Sequence, residues 1–243
     1  MRRLLSLLAV LAALAALTLA PGAQANGFGS AGGWSAQLSL VHGIPGESLG
    51  ASRSLPVQIR VSRLFDGVKV FDDVTFPTAT DTLTVRPGIY RIQVRVKEAP
   101  VTLTRWTYIA PGANVTAVAY LTDSGRLSNP SGAPQPRLGI FTNDTSSPGP
   151  GKARVIVRHL ADAPAVDVLA GSTTVINALS NSSSATLVVP AGTYPISVVA
   201  DANNSIVALP PTNLTFAAGT TTVVYATGSF FDGSFTPQVK VVS

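Results

Sequence analysis

The sequence has no cysteine, only two histidines and few charged residues, which make up 12% of its 243 positions. Without cysteine the chain forms no disulfide, offers no thiol nucleophile and has no thiolate ligand for a metal ion. It also lacks the cysteine that a lipid-modified N-terminus requires. An exported chain of this composition must hold its fold by core packing alone, and a domain of about 100 residues is large enough to bury such a core.

The charge balance excludes one class of partner. The formal net charge is +5, and Arg2 and Arg3 lie in an N-terminal leader, so the rest of the chain carries 15 basic against 12 acidic residues. The basic residues are scattered along the chain. Nucleic-acid-binding domains concentrate Lys and Arg on one face, so we expect no nucleic-acid partner.

The N-terminus predicts export. Arg2 and Arg3 precede an apolar run at residues 4–20, and Ala23 and Ala25 form the small-x-small pattern of a signal-peptidase site. We expect a signal peptide at 1–25, cleaved after Ala25. A membrane anchor is the alternative, but the run is short for a membrane span. The sequence has no second apolar run of spanning length, so we expect a secreted, periplasmic or cell-surface protein that does not span the membrane.

The remaining sequence predicts strands and turns. Glycine and proline are frequent, at 21 and 18 residues, and apolar side chains alternate with polar ones over short segments. In residues 90–97 every second position is apolar, and Asp66-Gly67 predicts a hairpin turn. No amphipathic helix of useful length is present. After the leader, residues 26–35 are expected to be a flexible segment.

An internal repeat gives the domain plan. Three pairs of residues occupy matching places in two similar patterns: His42 with His159, Gly88 with Gly192, and Tyr90 with Tyr194. Length differences between the patterns fall in loops, as two copies of one fold should show. We therefore predict two tandem antiparallel, immunoglobulin-like β-sandwich domains at 36–142 and 152–243, joined by a Pro/Gly/Ser linker at 143–151. A single large β-barrel is the alternative.

The second pattern resembles a known family. Residues 158–168 read Arg-His-Leu-Ala-Asp-Ala-Pro-Ala-Val-Asp-Val, and residues 189–194 read Val-Pro-Ala-Gly-Thr-Tyr. These segments are similar to the bacterial exported family known as domain of unknown function 4397, and the first pattern resembles a variant of it. The resemblance implies a secreted or surface β-domain of bacterial type in two tandem copies. It carries over no catalytic residue.

The histidines invite an active-site reading. His159 has Asp162 and Asp167 nearby, which allows a metal site or an acid–base pair. The first pattern has Gln58 where Asp167 would be, and both histidines share strand parity with core residues. We therefore expect each imidazole to be buried at a strand end and hydrogen-bonded to the following turn, with no metal, no cofactor and no catalytic residue.

Two aromatic residues are the best candidates for ligand contact. Trp106 and Tyr108 fall out of phase with the core positions of the second pattern, so we expect them to face outward beside Arg105. Exposed aromatic rings stack on sugars or anchor a protein partner. The alternative is a register shift that buries Trp106, or packing against the other domain.

The sequence thus predicts a non-enzymatic exported protein with a binding or envelope-structural role and an unknown protein or glycan of the cell envelope as its partner. One alternative is a carbohydrate or cell-wall binding module that uses Trp106, Tyr108 and Arg105. A second is a hydrolase or metal-dependent enzyme centred on the second domain.

Overall fold

The structure, a computed structural model, describes residues 34–243. This part of the chain is all-β, as the sequence predicts. Its single helical element within these residues is a 3-10 turn at Gly46–Leu49. The same residues contain no helix long and apolar enough to cross a membrane. The predicted signal peptide and its cleavage site lie outside the described residues, as does most of the segment 26–35.

Seventeen strands follow one another in the described part of the chain. They are Ala36–His42 (β1), Val57–Arg63 (β2), Asp66–Val74 (β3), Thr78–Ala79 (β4), Leu83–Val85 (β5), Gly88–Val96 (β6), Thr102–Ile109 (β7), Asn114–Leu121 (β8), Pro136–Asn143 (β9), Lys152–His159 (β10), Val166–Ala170 (β11), Thr173–Leu179 (β12), Ser184–Pro190 (β13), Gly192–Ala200 (β14), Asn203–Phe216 (β15), Thr221–Thr227 (β16) and Thr236–Val241 (β17).

The strands form four sheets, two in each half of the chain. The first half has the order β4-β1-β8-β9, with β5 also paired to β1, and a second sheet β3-β2-β6-β7. The second half has the orders β13-β10-β16-β17 and β12-β11-β14-β15. Neighbouring strands are antiparallel except for β1 with β8 and β10 with β16, which are parallel. The strand order of the second half therefore repeats that of the first.

This strand order corrects one part of the prediction. An immunoglobulin constant-type domain places its first, second, fourth and fifth strands in one sheet. Here the first and second strands of each half, such as β10 and β11, lie in different sheets. The outline is sandwich-like, because the two sheets of the first half share one buried core. Alternation predicts two-faced strands, but strand order depends on the long connections between them, which carry no periodic signal.

The two halves pack against each other through their β1-β8 and β10-β16 sheets. One apolar cluster combines Val41 and Val118 of the first half with Ile156, Val223 and Tyr225 of the second. Strands β8 and β16 are consequently buried on both faces. Strands buried in this way contain near-continuous apolar or small residues. The four sheets thus stack as layers.

A close backbone approach holds this interface at one end. The amide of Gly228 donates a hydrogen bond to the carbonyl oxygen of Gly43 at 3.1 Å. A Cβ atom at Gly43 would lie 2.6 Å from Thr227 Cγ2, so only glycine fits. Gln238 Nε2 also donates to the carbonyl oxygen of His42 at 3.1 Å. The two halves are joined by direct contacts as well as by the segment 143–151.

The hairpin between β2 and β3 turns two residues earlier than predicted. Arg63 pairs with Asp66, so the turn lies at Leu64-Phe65 and not at Asp66-Gly67. Phe65 has a φ of 65° and Gly67 a φ of 54°. Gly67 therefore lies just after the turn, where the strand register shifts. Phe65 projects from the tip of the hairpin with 97% of its surface exposed.

Equivalent tyrosines tie a turn to a strand in both halves. The Tyr90 hydroxyl donates to the carbonyl oxygen of Arg86 at 2.6 Å, and the Tyr194 hydroxyl donates to that of Pro190 at 2.8 Å. In each case the acceptor lies four residues upstream. This is the tyrosine-corner arrangement of sandwich proteins. Tyr90 is fully buried, and burial raises its pKa, whereas Tyr194 is half-buried.

We expect Tyr90→Phe to lower the free energy of unfolding by about 1–2 kcal/mol, because it removes the hydrogen bond of a buried side chain. Tyr194→Phe should cost about half as much, since water can replace the lost partner at the exposed Pro190. Urea denaturation of the two variants measures both effects. An equal or larger loss for Tyr194→Phe would contradict the difference in burial.

Candidate functional site

The outer face of the sheet β3-β2-β6-β7 carries the predicted aromatic pair. Trp106 and Tyr108 lie on the edge strand β7 and are 58% and 65% exposed. Alternate positions on this strand point inward, and Ile109 is fully buried in the core. The structure therefore places both rings on the outer surface, without the register shift that would bury Trp106.

Residues of the neighbouring strand β6 extend this surface. Arg91 is the cross-strand partner of Trp106, and the exposed Ile89 is the partner of Tyr108. Directly opposed residues have Cβ atoms about 5 Å apart and point to the same face. We name this surface the aromatic–arginine face and define it by Trp106, Tyr108, Ile89, Arg91, Arg95 and Arg60.

The three arginines of the aromatic–arginine face have no acidic partner among the described residues. Arg95 lies four residues after Arg91 on the same side of β6, and Arg60 of β2 is opposite Gln93 on that side. All three are exposed. None forms an ion pair with any carboxylate in residues 34–243, whereas the nearby Lys97 pairs with Asp73 at 2.7 Å. The face therefore presents free positive charge next to exposed rings.

Arg105 does not belong to this face. It is exposed, but it precedes Trp106 on the strand and is paired with the core residue Ile92. Successive strand residues point to opposite faces. The prediction that Arg105 lies beside the two aromatic side chains is therefore wrong, and Arg91 takes that place. Adjacency in sequence suggested Arg105, whereas cross-strand pairing decides which cation neighbours the ring.

Sequence reasoning also missed an apolar border to this face. Leu64, Phe65 and Val68 are 39%, 97% and 54% exposed. They lie at and beside the β2–β3 turn, and the Leu64 amide donates to the carbonyl oxygen of Ile89 at 2.8 Å. Contiguous exposed apolar surface marks interaction sites. The turn residues Leu-Phe were a signal, because such residues are unusual at a hairpin tip.

The two histidines occupy equivalent buried positions. His42 Nε2 donates to the carbonyl oxygen of Leu55 at 2.9 Å, and His159 Nε2 donates to that of Pro164 at 2.8 Å. Both are fully buried, and Nδ1 of each has no hydrogen-bond partner among the described residues. Burial lowers the pKa of His42 to about 4, against the smaller opposing effect of Leu55, and burial likewise lowers the pKa of His159. Each imidazole is neutral and fastens a strand end to the next loop.

The aspartates near His159 bind other groups. Asp162 accepts hydrogen bonds from the Ser124 amide at 2.7 Å and the Ser229 hydroxyl at 2.9 Å. Asp167 accepts one from the Ala178 amide at 2.8 Å. Within residues 34–243 no group of three or more His, Asp or Glu side chains is placed to hold a metal ion. The structure does not bring His159 and these carboxylates together as an acid–base pair.

The paired glycines differ in what they require. Gly88 has a φ of 148°, and a Cβ atom there would lie 2.8 Å from Arg63 Nε. Arg63 in turn donates to the carbonyl oxygen of Pro87 at 3.1 Å. At Gly192 a Cβ atom would make only ordinary contact, 3.7 Å from the Tyr194 ring. The structure thus requires glycine at position 88, whereas Gly192 can be replaced by a residue with a side chain.

Comparison with known proteins identifies the family. The model of the family Domain of unknown function (DUF4397) matches residues 36–169, more than half of the chain. The chain belongs to the DUF4397 family. The match covers all of the first half and, in the second, β10 and all but the last residue of β11. The DUF4397 match confirms the family resemblance noted in the sequence and does not by itself divide the chain into two copies.

Solved structures and curated proteins add little to the DUF4397 assignment. The Bacillus anthracis TIE protein aligns with 8% identity and a TM-score of 0.26 over 79% of this chain, which spans about a third (33%) of that protein's chain. The fimbrial anchor protein Mfa2 from Porphyromonas gingivalis aligns with 10% identity and a TM-score of 0.20, covering 85% of this chain and 97% of that one. No curated protein matches.

Proposed function

We propose that this chain is an exported, non-enzymatic binding protein of the cell envelope, and that its aromatic–arginine face binds an anionic polysaccharide. The observation that carries the proposal is the direct pairing of the exposed Trp106 with Arg91 on an open sheet face. An aromatic ring stacks on the apolar face of a sugar. A guanidinium beside it donates paired hydrogen bonds to a carboxylate or phosphate.

The free charge on this face favours an acidic polymer over a neutral one. Arg60, Arg91 and Arg95 repeat across two neighbouring strands without a carboxylate partner among the described residues. A polymer with regularly spaced negative groups can pair with several of them at once, and its affinity then falls as salt rises. Trp106 and Tyr108 lie two residues apart on β7, so their rings form a row along the strand. An extended polysaccharide can lie along this row.

The non-enzymatic part of the proposal rests on how the polar residues are used. His42 and His159 have their Nε2 atoms occupied by backbone carbonyls, and Asp162 is fully buried between two donors. A general base needs access to the proton that it removes. These side chains instead fasten loops to strands, which is the role expected of buried polar groups.

Export and a two-copy architecture complete the proposal. The leader at 1–25 supports secretion, to the periplasm, the cell surface or the medium. Two copies of one domain, at 36–142 and 152–243, are supported by the repeated sheet order and by the paired tyrosine corners of Tyr90 and Tyr194. With two copies, the second domain can hold the outer face of the first domain towards a partner.

We expect Trp106→Ala to weaken binding to an acidic polysaccharide by about tenfold or more, because an aromatic anchor at the centre of a contact dominates its energy. Affinity electrophoresis of the chain through gels containing polygalacturonate or neutral dextran measures this. The wild type should be retarded by polygalacturonate, less so at high salt, and little by dextran. The free energy of unfolding of the variant should stay within about 0.5 kcal/mol of wild type, since Trp106 is exposed.

The matched control is Trp34→Ala. Trp34 is 71% exposed and precedes β1, so it lies outside the aromatic–arginine face, and its loss should leave retardation unchanged. Arg91→Ala should reduce both the retardation and its salt dependence. Equal retardation of the two tryptophan variants would refute the proposed site. If the chain binds anionic lipid vesicles but not polygalacturonate, the partner of this face is a membrane surface and not a polysaccharide.

A further inference from the structure

An apolar cavity lies between the two sheets of the second half. Its volume is about 100 Å³, and its accessible wall is entirely apolar. Both sheets contribute, with Val155 and Val157 on one side and Val168, Ile196 and Val198 on the other. The lining residue that carries a hydroxyl, Tyr194, donates it to Pro190.

The equivalent region of the first half is filled. There the core is one cluster of 20 buried residues, whereas the second half has two separate clusters of five and four. Tyr90 and Ile92 are fully buried, but their register equivalents Tyr194 and Ile196 are only half-buried. The same sheet order thus encloses a packed core in one half and a gap in the other.

The paired central strands carry different core side chains in the two halves. Leu38 and Leu40 of β1 pair in register with Val115 and Ala117 of β8. The strands β10 and β16 pair in the same way and place Val155 and Val157 at the positions of the two leucines. Each of these two replacements removes a methylene group, whereas Val224 stands in register where β8 has the smaller Ala117, so these positions alone do not account for the gap. Native cores are packed to high density, so an unfilled space between two facing sheets is a candidate ligand site.

We propose that this cavity binds a small apolar ligand, such as one aromatic ring or a short alkyl chain. A wall without donors or acceptors cannot replace the hydration of a sugar or a charged group. Apolar cavities of comparable size stay free of water and take up benzene or xenon. A small apolar ligand in this cavity contacts wall residues of both sheets. This site is separate from the aromatic–arginine face and does not depend on its function.

Benzene and xenon are the probes. Methyl ¹³C–¹H spectra of the chain, recorded with increasing benzene, should show saturable shifts at Val155, Val157, Val168, Ile196 and Leu214. Val157→Leu restores the first-half side chain and should weaken benzene binding by about tenfold or more, because it fills the site. Val188→Leu makes the same change at a position on β13 outside the cavity wall and should leave the affinity unchanged.

A second variant covers the case in which Val157→Leu fails to fold. Leu187→Ala enlarges the cavity from β13, the strand that pairs with β10 in the same sheet. This variant should bind benzene more tightly and gain more thermal stability from saturating benzene than the wild type does. Hexanol, offered in parallel, separates an alkyl preference from an aromatic one. Shifts that grow linearly without saturation, or equal benzene affinity for wild type, Val157→Leu and Leu187→Ala, would overturn the proposed site.

Discussion

Arg158→Ala is expected to lower the free energy of unfolding by about 3 kcal/mol. The guanidinium of Arg158 is buried between the two halves without a carboxylate partner in the described structure. It donates to Asn143 Oδ1 at 2.8 Å, to the Tyr225 hydroxyl at 3.2 Å and to the Thr142 carbonyl oxygen at 3.2 Å. The guanidinium carbon, Cζ of Arg158, lies 4.7 Å from the ring centroid of Phe141.

The loss has two physical sources. Removing Arg158 leaves the buried Asn143 amide oxygen without its charged donor, and it opens a void between the rings of Phe141 and Tyr225. Because Arg158 lies on β10 and its Asn143 partner on β9, the damage falls on the contact between halves. Urea denaturation followed by tryptophan fluorescence measures the change.

Arg91→Ala is the matched control, since Arg91 is exposed and forms no ion pair among the described residues. It should change the free energy of unfolding by no more than about 0.5 kcal/mol. Arg158→Met separates shape from charge: it keeps most of the volume, and a smaller loss than for alanine is expected. If Arg158→Ala behaves like Arg91→Ala, the buried guanidinium does not stabilise the interface.

Acidification is expected to destabilise the protein through His42, by about 3 kcal/mol between pH 6.5 and 4. Burial lowers the pKa of His42 from 6.5 to about 4. Between these values the unfolded chain binds a proton that the folded chain does not, so stability rises with pH by about 1.4 kcal/mol per unit. The contribution is fully present above pH 6.5 and is lost as pH falls towards 4. Protonation would place an N–H at Nδ1, where the described residues offer no acceptor.

Denaturation in urea at pH 7, 6, 5 and 4.5 tests this dependence. His42→Gln is the informative variant, because a glutamine amide can still donate to the Leu55 carbonyl oxygen but does not titrate. We expect it to be less stable than wild type at pH 7 and to show a shallower decline with acid. Aspartates and glutamates also titrate near pH 4, and the difference between variant and wild type removes their contribution. Identical pH profiles would contradict a neutral buried His42.

Local pattern was a reliable guide to the aromatic pair. The sequence predicted that Trp106 and Tyr108 face outward, because strand residues alternate and the core positions of the second pattern set the phase. Both are exposed. The same reasoning failed for Arg105, since alternation places it on the other face. The neighbour that matters, Arg91, is 15 positions away in sequence and is brought to Trp106 by the pairing of β6 with β7.

The contact between halves lay beyond sequence reasoning. The sequence predicts a linker between two modules, and strands in which apolar side chains alternate with polar ones. In the structure Arg154 and Arg158, on the other face of β10, are also buried. Arg is seldom buried unless paired, so residue type alone gives no signal that these two are buried. The near-continuous small and apolar residues of β8 and β16 were the signal for burial on both faces.

The amino-acid sequence by itself determined the all-β class, the position of most strands, the absence of disulfide and thiolate chemistry, and the family. These properties follow from residue type and from a period of two, which need no knowledge of distant contacts. Only the tertiary structure decided the strand order, the stacking of the two halves, the arginine beside Trp106 and the cavity of the second half. Each of these depends on which strands meet across long connections, and on how closely the side chains of two facing sheets fill the space between them.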